Sequence, residues 1–374
     1  MSNTRFDSSF GSLQLYRRPR RRNEVLQAWD NADHYLLNNI AESPPPAGAR
    51  LLIVNDSFGA LACALSDYDC VAWSDSAVSH LATQENCGVN GRSAPALLSS
   101  SDIPSGDFAR VLYRLPRNHS LMRYQLQHLA PLLPSPAAFC GAIMAKYLDA
   151  ATMGVVSDSL GEAAASLAWK KARLIRLNTL RQTQKVDDDW LPFYSADYQL
   201  QLGNRGNVFS RGKLDRGSRL LIASLSQLGD AERIADLGCG NGLLGLMAAR
   251  HWPNAPLDFF DESYMAVDSA QRNWRDNGGA ARAQFHAGDC LHGYHGEAFD
   301  LILCNPPFHQ EQQLGDHIAQ QMFADARRFL RPGGRLCVVG NRHLNYHISL
   351  KKRFGNCRVI NSDAKFVVLV STRQ

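Results

Sequence analysis

No apolar run in the 374 residues approaches the roughly 20 needed to cross a bilayer, and Met1 to Phe10 is polar with no apolar h-region. Neither a membrane span nor a secretory leader is expected, and the chain reads as a cytoplasmic protein. No Cys-x-x-Cys pair occurs among the nine cysteines, which scatter from Cys63 to Cys357. That pattern speaks against a disulfide framework and a zinc site, and for reduced thiols. His286, His292 and His295 show no metal spacing either, so no metal is expected. There is no low-complexity tract, and 45% hydrophobic with 20% charged residues excludes a disordered or fibrous chain. Charge of one sign is also lacking. Against 40 Lys and Arg stand 35 Asp and Glu, a net +5 that permits a polyanionic partner without requiring one.

What is present is organised in duplicate. A single core rarely grows past about 250 residues, so this length predicts two domains. Two stretches read as nucleotide-binding β-α-β starts: Leu51-Leu52-Ile53-Val54-Asn55-Asp56-Ser57-Phe58-Gly59 and Ile234-Ala235-Asp236-Leu237-Gly238-Cys239-Gly240-Asn241-Gly242. Each is followed by a second strand, Val71–Trp73 and Leu257–Phe260, then by a helical stretch ending in Asn-Gly, at Asn90-Gly91 and Asn277-Gly278. Each then has an apolar strand that meets proline, Val111 to Pro116 and Leu301 to Pro307. Strands alternating with helices predict open, mostly parallel α/β sheets with helices on both faces. The domains are placed at 1–186 and 187–374, with a polar, non-periodic linker near Arg181 to Asp189.

The two copies differ where it matters. If Asn55 matches Asp236, then Ser57 and Leu61 replace Gly238 and Gly242, and only Gly59 still meets a glycine, Gly240. Side chains there would fill the space a backbone needs to approach a nucleotide. Arg114-Leu115-Pro116 stands opposite Asn305-Pro306-Pro307. The first domain is therefore read as degenerate and without chemistry of its own.

Around the second turn, Asp236, Gly238, Gly240 and Gly242 bring backbone N–H groups and a helix N-terminus to one point, suited to a polar ligand. Gly240-x-Gly242-x-x-Gly245 also satisfies a dinucleotide fingerprint, a weaker match that arises often by chance. Asp236 separates the two readings, because a carboxylate there pairs with a cationic ligand end and repels a pyrophosphate. Asp261 closes the second strand, placed to accept ribose hydroxyls, and Asp289 ends the third, placed to accept from an adenine amino group. This set resembles motif I and the following acidic positions of the Rossmann-like class I S-adenosylmethionine methyltransferases. The resemblance implies two tandem domains of that fold, the N-terminal copy degenerate, with S-adenosylmethionine as cofactor.

Asn305-Pro306-Pro307-Phe308 lies at the C-terminal edge of the sheet, where such folds bind ligands. An exocyclic amine is a poor nucleophile while its lone pair is delocalised into the ring. Acceptors for its two hydrogens let the nitrogen become pyramidal, and the Asn305 side-chain and Pro306 main-chain carbonyls can serve together. The prolines stiffen the loop, and Phe308 offers a face for a flipped base. The motif is shared by methyltransferases acting on adenine N6, guanine N2 and a protein glutamine amide, so it names an sp² amino nitrogen and not the substrate.

Upstream, Asn207-Val208-Phe209-Ser210-Arg211-x-x-Leu214-Asp215-x-Gly217-Ser218 resembles the segment covering the cofactor in the bacterial ribosomal RNA guanine-N2 methyltransferases, themselves built of a degenerate and an active copy. Asn55 to Leu61, Leu167 to Ile175, Asn341 to Leu344, Phe354 to Cys357 and Lys365 to Leu369 look most like the large-subunit group, methyltransferase G; the resemblance runs from about Leu13 to Val370. It implies methylation of guanine N2 in 23S rRNA, deproteinised or in an early assembly form, with the N-terminal domain helping to bind RNA. Lys170, Lys171 and Arg173 are the candidate phosphate contacts, and Phe209 and Pro307 candidate substrate contacts. The further basic groups, Arg17 to Arg22 and Lys351 to Arg353, read equally well as solvated faces. A pseudo-dimer of two copies points to a monomer. The alternatives are the sister 16S rRNA enzyme and a catalytically silent RNA-binding assembly factor.

Overall fold

The computed structural model describes residues 3–21, 23–181, 186, 188–209, 211–279, 282–307 and 312–374, the side chains of 312–316 excepted. Each half opens with a hairpin. In the first, β1 (Arg5–Ser8) pairs antiparallel with β2 (Gly11–Gln14). There follow α1 (Asn31–Glu42), β3 (Arg50–Val54), α2 (Ala60–Ala64), β4 (Asp69–Ser74), α3 (Ala77–Val89), β5 (Ala96–Ser99) and β6 (Arg110–Arg114). Then come α4 (His119–Leu129), β7 (Phe139–Met144), α5 (Ala150–Leu160), β8 (Ala163–Ala165) and β9 (Ala172–Leu177).

The second half repeats the plan. The hairpin is β10 (Leu191–Ser195) with β11 (Leu200–Asn204). After α6 (Arg216–Ile222) come β12 (Ile234–Leu237), α7 (Leu243–His251), β13 (Leu257–Asp261), α8 (Tyr264–Asp276), β14 (Ala283–Ala287) and β15 (Phe299–Cys304). The last elements are α9 (Gln312–Phe329), β16 (Leu330–Asn341), α10 (Tyr346–Phe354), β17 (Arg358–Ser362) and β18 (Phe366–Thr372).

The chain divides into two units, Met1–Asp189 and Trp190–Gln374. Part of the predicted linker, residues 182–185 and 187, lies outside the described residues. Each unit has a seven-stranded sheet, ordered β5-β4-β3-β6-β7-β9-β8 in the first and β14-β13-β12-β15-β16-β18-β17 in the second. The first five strands of each order are parallel, and β9 and β18 join antiparallel. Counted along the chain both orders are 3-2-1-4-5-7-6. The order reverses at β3 and at β12, where sheets of this kind open a crevice beyond the strand ends.

Apolar runs explain the central strands. Leu51–Val54, Ile234–Leu237 and Phe299–Cys304 are buried throughout, as strands covered on both faces must be. In the second unit, Leu243, Leu246, Phe259, Leu301 and Leu303 pack on one face of the sheet and Phe260, Phe299, Ile302, Phe323 and Leu336 on the other.

The duplication extends to hydrogen bonds. Asn273 donates to the Gly203 and Asn241 carbonyls and accepts from Gly203 N, while Asn277 bridges both backbone groups of Gln201. In the first unit Asn86 does the same to Tyr16 and Phe58, and Asn90 to Gln14. These amides tie each hairpin to the helix after the second strand.

The repeated bonds correct the register expected from sequence. Asn55 N donates to Trp73 O at 3.0 Å as Gly238 N does to Phe260 O at 2.8 Å. Gly59 and Gly242 are both left-handed residues heading the next helix. Asn55 therefore matches Gly238, not Asp236, and Gly59 matches Gly242, not Gly240. Ile53 stands at the Asp236 position and Ser57 at that of Gly240. The expected alignment is off by two residues because it pairs a polar residue with a polar residue, whereas the turn into the helix sets the register.

Candidate active site

The turn after β12 has three left-handed glycines, Gly238, Gly240 and Gly242, at φ +76°, +54° and +80°. They are needed for different reasons. A Cβ on Gly238 would meet Met322 Cε at 2.9 Å, and one on Gly242 would meet Ala270 Cβ at 2.9 Å. A Cβ on Gly240 would find nothing within 4 Å, so the backbone there borders open space. Gly245 fits because its Cα lies against the Phe259 ring, and its N–H donates to Asp236 Oδ2 at 2.8 Å. The fingerprint-like spacing thus serves helix-on-sheet packing and the acid beneath it.

Asp236 is fully buried, and its Oδ1 has no hydrogen-bond partner among the described residues. Burial, with Asp261 nearby, pushes its carboxyl up to about 7 against the pull of the Gly245 N–H. Asp261 ends β13, accepting from Gly240 N at 2.9 Å through Oδ2 and from Ser263 N at 3.0 Å through Oδ1. Asp289 lies two residues beyond β14, buried, with Gln321 Nε2 at 2.6 Å. Asn204, not singled out from sequence, ends β11 fully buried. It accepts from Asn241 Nδ2 at 3.0 Å, and its own Nδ2 has no partner among the described residues. It adds a donor beside the glycine turn.

Asn305 follows β15. Its Nδ2 donates to Asp215 Oδ2 at 3.0 Å and to Ser218 Oγ at 2.9 Å. A carboxylate only accepts, so this partner fixes which end of the amide is nitrogen. Asn305 Oδ1 is buried with no partner among the described residues. The acceptor loop adjoins the glycine turn: a Cβ on Gly238 would lie 4.0 Å from Asn305 O. Pro306 is buried and Pro307 exposed; Phe308 lies outside the described residues, as does Ser210. Phe209 is 56% exposed.

From sequence, Asp215 and Ser218 stand out only as part of a cofactor-covering segment. Asp215 also caps α6, accepting from Ser218 N at 2.8 Å. Gly217 is glycine for the same reason, since a Cβ there would sit 3.0 Å from Asp215 Oδ2. An Asp three residues before a Ser at a helix start was the available signal.

In the first unit the matching space is filled by protein. Asp56 accepts from the N–H groups of Gly59, Ala60, Leu61 and Ala62 at 2.9–3.0 Å, occupying the end of α2. Asn55 exchanges hydrogen bonds with Gln125. Arg114, at the Asn305 position, reaches Asp30 at 2.8 Å and Asp33 at 3.1 Å. Burial would lower its guanidinium, but Asp33 and Asp30 hold it above its ordinary value.

The basic groups separate in the structure. Lys170 and Lys171 are exposed at the tip between β8 and β9, where Trp169 and Ala172 exchange backbone bonds. Both lysines have positive φ, +45° and +65°, as in a type I′ turn, which favours Asn-Gly. Arg173 is half-buried and donates to Ser166 O at 3.3 Å. The described N-terminal arginines have partners within the first unit. Arg17 and Arg21 pair with Glu24, Arg18 pairs with Glu85, and Arg20 stacks 4.2 Å over the Tyr16 ring; Arg22 lies outside the described residues. Arg342 and His343 are exposed in a turn after β16. His286 is bound to Asp258 at 2.8 Å.

A 3-2-1-4-5-7-6 sheet with a glycine turn and acids at the ends of its first two strands defines the class: a Rossmann-like S-adenosylmethionine-dependent methyltransferase. Comparison with known proteins agrees. The family described as the RLMG N-terminal domain matches residues 3–183, and the methyltransferase small domain matches 199–370. Proteins named ribosomal RNA large subunit methyltransferase G are similar over nearly the whole chain. That of Shewanella sp. (strain MR-4) is 42% identical over 99% of this chain and 100% of its own. That of Vibrio campbellii is 40% identical over 99% and 97%. Among solved structures, the T. thermophilus 16S rRNA N2 guanine methyltransferase RsmC, in complex with AdoMet and guanosine, matches with TM-score 0.79. It is 23% identical, over 99% of this chain and 98% of its own, which shows the shared fold. The chain belongs to the ribosomal RNA large subunit methyltransferase G family.

Proposed function

We propose that the second unit transfers a methyl group from S-adenosylmethionine to the exocyclic N2 of a guanine in 23S rRNA. The observation that carries the reading is the Asn305 amide, its N–H₂ held by Asp215 and Ser218 and its buried carbonyl without a donor among the described residues. S-adenosylmethionine supplies an activated methyl on a sulfonium whose thioether is its own leaving group. Asn305 Oδ1 and the Pro306 carbonyl accept the two amine hydrogens, which turns the nitrogen lone pair out of the ring. As the N–C bond forms and the S–C bond breaks, one amine proton departs to water. Phe209 and Pro307 are the substrate contacts in this reading, and Phe308, outside the described residues, is the aromatic assigned to the flipped base.

The residues present fit the cofactor. Asp236 Oδ1, without a partner among the described residues, suits a donor or cation, and the open space over Gly240 admits a ligand against the backbone. Gly238 and Gly242 shape that turn, Asp261 takes the ribose hydroxyls, and Asp289 the adenine amine. In this reading residues 1–186 form an RNA-binding domain without chemistry and 187–374 the catalytic domain. Lys170 and Lys171, with Arg173, contact phosphates, which position the RNA but carry no sequence information. The protein acts as a cytoplasmic monomer on deproteinised rRNA or an early assembly form. Among the described residues no helix is long and apolar enough to cross a membrane.

Tritiated S-adenosylmethionine offered with deproteinised 23S or 16S rRNA from cells lacking the protein tests this. Label in 23S that digests to N2-methylguanosine is expected. Label confined to 16S would overturn the choice of substrate and leave the chemistry standing.

A further inference from the structure

We propose that Asp215 and Ser218 are positioning residues for methyl transfer, holding the Asn305 amide so that its carbonyl, and not its N–H₂, faces the substrate amine. This rests on the role given to Asn305 above. An unrestrained amide turns about its terminal bond and presents donor or acceptor alike. Only the acceptor helps, because a donor would compete for the lone pair that must attack the methyl group. Asp215 Oδ2 and Ser218 Oγ take both amide hydrogens at 3.0 and 2.9 Å, which leaves Oδ1 on the other side. Such preorganised acceptors need no reorganisation at the moment of reaction.

The first unit separates the scaffold from this function. Asp30 caps α1 as Asp215 caps α6, and Asp30 and Asp33 together hold Arg114 at the Asn305 position. A helix-capping acid bonded to the end of the fourth sheet strand is thus common to both units. What the second unit adds is a partner with an acceptor to present, since a guanidinium has none. Gly217 keeps the Asp215 carboxylate in reach, and Ser218 contributes its hydroxyl as well as the capped N–H.

The test is Asp215→Ser and Ser218→Ala, each alone and combined with Asn305→Ala, on the full chain. Serine also caps helices but is too short to reach Asn305. Asp215→Ser is expected to lower kcat by about 10–100-fold, with an unchanged melting temperature and unchanged KM for rRNA. Ser218→Ala, which keeps the cap, should lose several-fold. Neither change should add to the loss in Asn305→Ala. A merely structural role would instead lower the melting temperature or raise that KM and multiply with the Asn305 loss, and that result would overturn the proposal. So would wild-type turnover in Ser218→Ala should Asp215→Ser fail to fold. If Asn305→Ala itself turns over normally, the role of Asn305 fails first. If it is inactive while both neighbours are silent, only the positioning inference fails.

Discussion

Arg114 Nη2 lies 2.8 Å from Asp30 Oδ2 at the position where, in the second unit, Asn305 Nδ2 lies 3.0 Å from Asp215 Oδ2. The same corner of the same fold holds a structural ion pair in one unit and an oriented amide in the other. Arg114 is one partner in a cluster with the partly exposed Asp30, the buried Asp33 and, at longer range, the buried Asp56. Removing one partner of such a cluster strands the remaining charges. Arg114→Met should therefore cost about 3–5 kcal/mol of first-unit stability, read as an early transition in urea unfolding. A loss below about 1 kcal/mol would show that the acids take up protons or water at little cost.

Asp236 gives a pH prediction. Its folded carboxyl, near 7, lies above the ordinary 3.8 of an unfolded aspartate. Between those values the folded state keeps a proton that the unfolded chain has released, so stability falls as pH rises through the window. Asp236→Asn carries no such group. Without cofactor, the variant should gain on the wild type between pH 4 and 8 by a few kcal/mol, on the order set by linkage, measured by urea unfolding at each pH. The same variant should bind S-adenosylmethionine more weakly by about 10–100-fold, the scale of a charged hydrogen bond.

Gly240 and Gly242 should respond in opposite ways to alanine. At Gly242 a Cβ collides with Ala270, and the cost falls on folding. At Gly240 the Cβ enters open space, so folding bears only the left-handed strain of about 1–2 kcal/mol, while cofactor affinity drops at least tenfold. Thermal melting beside calorimetric titration separates them. Normal affinity in Gly240→Ala would place the ligand elsewhere.

Lys170 and Lys171 can be removed without harming their turn. Asn-Gly is preferred where both central residues have positive φ, so Lys170→Asn with Lys171→Gly should hold or raise the melting temperature. RNA affinity should fall, and the slope of log K against log salt should shrink by about 0.7–0.9 for each phosphate no longer neutralised. An unchanged slope would remove these lysines from the RNA interface.

Short-range spacing alone carried much of this molecule. The two α/β copies, the glycine turn, Asp236, Asp261 and Asn305 were legible because each is a local pattern of a buried strand followed by a turn. Asn90-Gly91 and Asn277-Gly278 were legible as helix ends, but not as latches, because their partners Gln14 and Gln201 lie 76 residues away. Asp215 and Asn305 are 90 residues apart, and only closure of the sheet brings helix cap and strand end together. The two-residue register between the copies and the antiparallel addition of β9 and β18 were likewise set by backbone pairing, since alternation of apolar residues does not state strand direction or offset. The sequence determined which chemical groups stand at the strand ends; the tertiary structure decided which of them are spent on one another, as in Arg114 with Asp30 and Asp33, and which, like Asn305 Oδ1 and Asp236 Oδ1, are left to act.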